Sequence, residues 1–256
     1  MKLSIIATDP QPSAPGAPDA PAASGADSAY FALPGADRPV SPPVAAVIAA
    51  LEADIILGRI LPRGRLIEDH LMEDYGCKRH VVRAALDELE RLGVVVKPRH
   101  RGAELRRFDA GEIARLYDMR EVLHRAAVRR MGTVPADGLA VVERWRHCHA
   151  EAATGGDVVA VHRTNMMFHQ ALFSLCGNPF IANAIRLHDW LSFPIRAYGV
   201  ADAEALGQAC DEHTEMMRLL RDGRLDLLEE LAVAHMLRAR RIYEAKFVTA
   251  SVRRTG

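Results

Sequence analysis

Four side chains in the second half of the sequence have the residue types and spacing of a metal site: Asn165, His169, His213 and His235. Asn165 and His169 are four positions apart, so on a helix they project from one face about one turn apart. The other two fall in two later predicted helices, where each can point into the interior of a bundle. Three neutral imidazoles and one side-chain oxygen suit a divalent Zn, Ni, Mn or Fe ion. A neutral amide is a weaker ligand than a carboxylate, so we expect modest affinity.

The same spacing also fits histidines that are satisfied inside a protein core, and the residues alone leave that alternative open. The chain has 11 histidines. We expect seven of them, which lack matching partners, to be surface or packing residues: His70, His80, His100, His147, His149, His162 and His188. Of these, His80 and His100 lie in a strongly basic segment and are candidates for a nucleic-acid contact.

That basic segment is GCKRHVVRAALDELERLGVVVKPRHRG, residues 76–102. Its apolar residues have the i, i+3, i+4, i+7 spacing of a helix with one buried face: Val82, Ala85, Leu86 and Leu89. Gly76 precedes this helix and Gly93 ends it. A recognition helix presents the side chains at its start to DNA. The candidates there are Lys78, Arg79, His80 and Arg83.

A basic hairpin follows the helix. Residues 94–96 suit one strand and residues 103–107 the returning strand. The turn between them carries three cations that can contact phosphates: Lys97, Arg99 and Arg101. The whole chain balances 33 basic against 33 acidic residues, but basic residues predominate between positions 78 and 107. A helix-turn-helix with a basic hairpin predicts a winged helix that binds duplex DNA.

The elements that position these side chains divide the chain into four parts. Residues 1–43 are rich in alanine and proline, which predicts a disordered leader. Residues 44–107 predict a winged helix-turn-helix, with helices at 44–57 and 68–75 before the recognition helix. Residues 108–250 predict an antiparallel all-α bundle of about six helices, and 251–256 a tail. The bundle helices have the limits 109–131, 136–154, 157–176, 179–199, 202–222 and 224–249. The expected fold class is mainly α.

Neither a membrane protein nor a secreted protein is indicated. No stretch approaches the roughly 20 apolar residues of a membrane span, and the opening apolar run is too short for a signal peptide. The four cysteines are scattered without a CxxC pair, which argues against a zinc ribbon or a disulfide scaffold. We expect a protein of the reducing cytoplasm.

The motifs in these elements resemble those of a known family. Residues 58–68, GRILPRGRLIE, resemble the G-x-L-x-P-G-x-x-L-x-E opening of GntR-family regulators. Residues 76–86 are similar to their G-V-S-R-T-P-V-R-E-A-L signature, and residues 93–102 to their G-L-V-x-x-x-P-x-R-G wing. The helical half resembles the FCD effector domain of the FadR branch. Its motifs here are Arg120-x-x-Leu123, Phe168-His169, Gly177-Asn178-Pro179, Glu212-His213 and His235. The resemblance covers residues 44–248.

The resemblance implies a homodimeric, metabolite-responsive transcription regulator that binds a palindromic operator. Metal-binding members of the family use an Asp or Asn, a His four residues later, and two further His on the last two helices. This order matches the four candidate ligands, and it favours a metal over core histidines.

The resemblance also implies a small organic acid or sugar acid as effector. Arg120 is either a clamp for its carboxylate or a buried salt-bridge former, because a guanidinium binds carboxylates in a bidentate way. Arg186 and Arg196 are weaker candidates on the fourth effector helix. Effector binding is expected to release repression, although activation remains an alternative.

This chain departs from the family pattern at several positions. His80 and Val81 replace the usual Thr-Pro, Ala84 replaces Glu, and Cys77 stands where Val is common. The base-reading surface is therefore this protein's own. In the effector half, His124 stands where many members have Glu.

Two other classes of protein remain as alternatives. A His-rich helical metalloenzyme is weakened by the lack of an HExxH motif and of a general base beside the four ligands. A DNA-binding protein without an effector is disfavoured by the length of chain in the bundle. We therefore predict a regulator and not an enzyme.

Overall fold

The computed structural model describes residues 33–34, 40–199 and 203–249. Most of the predicted leader, and the tail at 251–256, lie outside the described residues. Within those ranges no helix combines the length and the apolar character needed to cross a membrane. The predicted fold class is confirmed, since a small winged helix-turn-helix precedes an all-α domain.

The DNA-binding module contains three helices and a small sheet. The helices are α1 (Pro42–Ile56), α2 (Glu68–Asp74) and α3 (Arg79–Arg91), and the strands are β1 (Arg65–Leu66), β2 (Val95–Val96) and β3 (Ala103–Leu105). The sheet is antiparallel with the order β1-β3-β2, and Arg65 pairs with Glu104 while Val95 pairs with Leu105. Strand β1 was not predicted from the sequence, because a strand of two residues is too short to show the alternation of apolar and polar residues.

The recognition helix α3 buries the four predicted apolar residues against α1. Val82 and Ala85 have no exposed surface. Gly93 follows the helix with φ +75°, a conformation that favours glycine. A Cβ at Gly93 would also lie 2.5 Å from Leu191 Cδ1 in the effector domain. Glycine here therefore ends the helix and allows the two domains to pack closely.

Between residues 108 and 249, leaving aside 200–202, the effector domain contains six long helices and one short one. They are α4 (Ala110–Arg130), α5 (Ala136–Gly155), α6 (Val158–Ser174), α7 (Pro179–Leu191), α8 (Phe193–Arg196), α9 (Ala203–Arg221) and α10 (Leu225–Tyr243). A 3₁₀ turn, Ala197–Gly199, follows α8, and a π-helical turn, Glu244–Thr249, follows α10. Helix α4 begins with a capping box, in which Asp109 Oδ1 accepts a 2.8 Å hydrogen bond from the Glu112 amide.

The prediction of one continuous helix over 179–199 is wrong. Helix α7 ends at Leu191, and Ser192 separates it from the short α8. Pro194 explains the break, because proline lacks an N–H and its ring clashes with the carbonyl four residues earlier. Arg196 therefore lies on α8 rather than on the fourth long helix. Its guanidinium now lines the cavity described below.

The two domains contact each other directly around α1. The carboxylate of Glu52 on α1 lies 2.9 Å from Arg163 Nε on α6. Tyr198 Oη in the 3₁₀ turn donates a 2.8 Å hydrogen bond to the Ile60 carbonyl, in the loop after α1. The helix that carries Asn165 and His169 is therefore tied to the DNA-binding module.

Candidate metal site and nucleic-acid interface

Three of the four predicted metal ligands meet in the effector domain. His169 projects from α6, His213 from α9 and His235 from α10, and one ligand nitrogen from each lies within 4.8 Å of the others. His169 Nε2 and His235 Nε2 are 3.0 Å apart. We call these three residues the histidine triad. Because they come from three helices, the packing of the bundle sets the geometry of the triad.

The chemistry of the triad fits a divalent metal ion. His213 is fully buried, and neither of its ring nitrogens has a hydrogen-bond partner among the described residues. Such an orphaned polar atom costs about 1–3 kcal/mol unless something else binds it. Burial, followed by the charge of His235, holds the pKa of His169 and of His213 well below the usual range. The lone pairs are therefore available to a metal at neutral pH.

A carboxylate orients the third histidine of the triad. Glu212 Oε2 accepts a 2.6 Å hydrogen bond from His235 Nδ1, which leaves Nε2 directed at His169. The same carboxylate pairs with Arg238. Burial alone would raise the pKa of Glu212, but these two hydrogen bonds lower it below its usual value. Carboxylate–histidine pairs of this kind commonly support metal ligands. The sequence indicated Glu212 only as part of a motif, and neither its contact with His235 nor its pairing with Arg238 was predicted.

A small cavity of about 90 Å³ adjoins the triad and is lined by His169, His235 and Asn165. Asn165 lies one turn before His169 on α6, so the predicted fourth ligand faces the same cavity as the triad. The volume is below the roughly 300–1,000 Å³ of drug-sized ligand sites. The cavity accordingly suits only a short ligand.

His149 and His162, two of the seven histidines expected to be surface or packing residues, lie in the interior of the protein. Both are buried, and both line the cavity together with His124. Burial lowers the pKa of His149 to about 4. His162 is seven residues before His169, so helical spacing places them on one face of α6. The spacing of His162 and His169 can be read from the sequence. The position of His149 at the cavity depends instead on how α5 packs.

Of the two roles predicted for Arg120, the buried salt bridge is the one observed. Arg120 Nη1 lies 3.0 Å from Asp189 Oδ1, and both side chains are only 5% exposed. The same nitrogen donates a 2.6 Å hydrogen bond to Ser192 Oγ. Arg196 Nη2 donates to the Asp189 carbonyl at 2.9 Å. Arg120, Asp189 and Arg196 all line the cavity, whereas Arg186 lies in a surface groove with Asn183.

The predicted DNA-reading side chains are exposed at the start of α3, and two of them pair with α2. Lys78 is the N-cap of α3, and Arg79, His80 and Arg83 follow it on the exposed surface. Arg83 Nε lies 2.9 Å from Glu68 Oε2, and Arg79 Nη1 lies 3.4 Å from the same oxygen. Arg79 also pairs with Asp69. Glu68 and Asp69 of α2 thus neutralise part of the positive charge at the start of α3.

The three cations of the wing differ from one another in their surroundings. Lys97 Nζ pairs with Asp87 and lies 2.8 Å from Glu90 Oε2, both on α3. Arg99 and Arg101 are exposed at the tip of the hairpin. A groove between α3 and the wing is also lined by Arg65 of β1, which the sequence analysis did not include because β1 was not predicted.

Comparison with known proteins agrees with both domains. The family model for bacterial regulatory proteins of the gntR family matches residues 43–105, and the FCD domain model matches residues 115–238. The GntR protein of Rhodococcus sp. RHA1 has a similar structure, with a TM-score of 0.65 and 22% identity over 81% of this chain and 100% of that chain. E. coli McbR/YncC has a TM-score of 0.66 and 16% identity over the same shares. No curated protein matches the sequence. The chain belongs to the GntR family, in its branch with an FCD domain, and is a metabolite-responsive, DNA-binding transcription regulator.

Proposed function

We propose that this regulator is a cytoplasmic homodimer that represses its genes and leaves a palindromic operator when a small organic acid binds. Residues 44–107 bind DNA, and residues 108–250 bind the effector and form the dimer. The observation that carries the proposal is one cavity lined both by two histidines of the triad and by arginine side chains. Such a cavity is suited to an anion, because guanidinium groups and metal ions both bind carboxylates.

The residues that would hold the ion are the triad and Asn165. Their donor atoms are imidazole nitrogens and an amide oxygen, which suit Zn, Ni, Mn or Fe. When bound, the ion supplies a positive charge and open coordination positions for an effector carboxylate. Glu212 keeps the His235 ring in the orientation that presents Nε2, as their 2.6 Å hydrogen bond supports.

On DNA, each protomer inserts the start of α3 into the major groove. Lys78, Arg79, His80 and Arg83 then contact bases and phosphates, while Arg99 and Arg101 contact the backbone beside the groove. Lys97 has a different role: it fixes the wing to α3 through Asp87 and Glu90. Two-fold symmetry of the dimer gives the operator its two half-sites.

The signal passes from the cavity to the DNA-binding module through α6. Asn165 and His169 line the cavity from α6, and Arg163 on the same helix is bound to Glu52 of α1. An effector that favours a different position of α6 would favour a different position of α1 and hence of α3. The dimer then shifts towards arrangements that no longer match both half-sites.

The experiment begins by selecting bound fragments from the native genome with the full-length protein. Affinity for the selected operator is measured by fluorescence anisotropy, with the protein metal-loaded and metal-depleted, in the presence of single organic acids. The proposal expects one acid to weaken operator binding at least tenfold in the metal-loaded protein. Specific binding that no carboxylic acid changes would contradict the effector assignment.

A further inference from the structure

The cavity is also lined by a buried histidine outside the triad, His162. No described residue forms a hydrogen bond with either ring nitrogen of His162, although the residue is 1% exposed. His124 Nδ1 and Arg120 Nε, which belong to two other residues of the cavity lining, are orphaned in the same way. Buried polar atoms almost always have partners. Several orphans around one cavity therefore indicate that a polar group binds there.

His162 lies at a distance from the triad along one helix. His162 and His169 are seven residues apart on α6, which is a rise of roughly 10 Å. Both residues line the same cavity, with Asn165 between them. The cavity therefore extends along α6 and has a polar end at the triad and a second polar end at His162.

The charges at the second end favour an anion. Arg120 and Asp189, both in the cavity lining, neutralise each other in their 3.0 Å pair, while Arg196 contributes a further positive charge to that lining. After burial, the field of Arg196 is the next cause of the low pKa of His162. The neutral imidazole keeps an N–H to donate, and a carboxylate accepts such hydrogen bonds.

The geometry points to a short dicarboxylate as the effector, with one carboxylate at the histidine triad and the other bound by His162 and Arg196. The small volume of the cavity and the separation of its ends restrict the carbon chain to about three to five atoms. This inference rests on the proposed function, because it assumes that the effector is a carboxylate. It adds a second anchor, and it makes His162 a residue that determines specificity.

The test is isothermal titration calorimetry of the full-length, metal-loaded protein with acids of matched length. Malonate is compared with propionate, succinate with butyrate, and glutarate with pentanoate. At least one diacid is expected to bind tenfold or more tightly than its monoacid. One additional charge-assisted hydrogen bond contributes enough binding free energy for a change of that size. His162→Phe is expected to lower diacid affinity to that of the matched monoacid. The control is His147→Phe, an exposed position on α5.

Three outcomes are informative. Equal affinity of monoacids and diacids overturns the inference while the carboxylate effector stands. A diacid preference that survives in His162→Phe also overturns it, because both carboxylates then bind at the triad. If the wild-type protein binds none of the acids, the proposed function itself is contradicted. If His162→Phe fails to fold, Arg196→Gln is used instead, with the same expected loss of diacid preference.

Discussion

The carboxylate of Glu52 and the guanidinium of Arg163 form a 2.9 Å ion pair between the DNA-binding module and the effector domain. Glu52 is 2% exposed, and Arg163 Nη2 also reaches the Ala49 carbonyl, so the pair closes a buried part of the domain interface. Arg163 is two residues before Asn165 on α6. One turn of α6 therefore carries both a contact to α1 of the DNA-binding module and a candidate metal ligand.

Glu52→Gln is expected to uncouple operator binding from the effector. The amide keeps the shape of the carboxylate but removes its charge, and Arg163 can turn its partly exposed guanidinium towards water. We expect a loss of about 1–2 kcal/mol in unfolding free energy, below that of a fully buried pair. Operator affinity without effector should stay within about threefold, whereas its response to effector should fall about tenfold. Urea unfolding and anisotropy measure these quantities.

The control for that variant is Glu151→Gln, an exposed carboxylate on α5. An unchanged response to effector in a folded Glu52→Gln protein would show that the signal takes another route.

Glu68→Gln is expected to strengthen DNA binding. Glu68 accepts from Arg83 and pairs with Arg79, so its charge opposes the phosphate field and competes for both cations. Removing this partly exposed competing charge should raise operator affinity about threefold to tenfold at low salt, with a smaller gain at high salt. Glu73→Gln on the same helix is the matched control. Weaker binding after Glu68→Gln would mean that Glu68 positions these arginines for DNA.

The three wing cations should differ in how much each contributes to the salt dependence of DNA binding. Arg99→Ala and Arg101→Ala should each reduce the slope of log K against log salt by about 0.9, because each removes one phosphate contact. Lys97→Ala should leave the slope nearly unchanged, since Lys97 is bound to Asp87 and Glu90. A slope that falls equally in all three variants would contradict the structural role of Lys97.

Local patterns in the sequence predicted most of the elements, because their signals lie within one helix or turn. The apolar spacing around Val82 predicted α3, and Gly93 predicted where that helix ends. The pairing of Glu52 with Arg163 was not predictable, since it joins residues 111 positions apart. The same holds for His149, which reaches the cavity only through the packing of α5.

The buried histidines should make stability depend on pH. Burial is the main cause of the lowered pKa of His162, and likewise of His124. Their unfolded-state pKa is about 6.5, so protonation below that value favours the unfolded chain. Each contributes stability that is complete above pH 6.5 and is lost as pH falls towards the folded pKa, at up to about 1.4 kcal/mol per pH unit.

This dependence is measured by urea unfolding of the metal-depleted protein between pH 8 and pH 5. His162→Phe should flatten the curve below pH 6.5, whereas the exposed His147→Phe should not. A wild-type unfolding free energy that stays constant over this range would show that these imidazoles ionise without penalty in the folded protein.

Metal affinity should depend on Glu212 as well as on the ligands themselves. Glu212→Gln removes the carboxylate that orients His235 through a 2.6 Å hydrogen bond, and loss of such a partner typically weakens metal binding about 10- to 100-fold. Glu215→Gln, three residues further along α9, is the matched control. Competition titrations with Zn, Ni and Mn on untagged protein measure the affinity, and His213→Ala should reduce it further. Equal affinity in Glu212→Gln and wild type would separate the carboxylate from the metal and leave it a role only in pairing with Arg238. Sub-stoichiometric metal in the wild type would make the triad a set of core histidines, and the effector carboxylate would then depend on the arginines of the cavity alone.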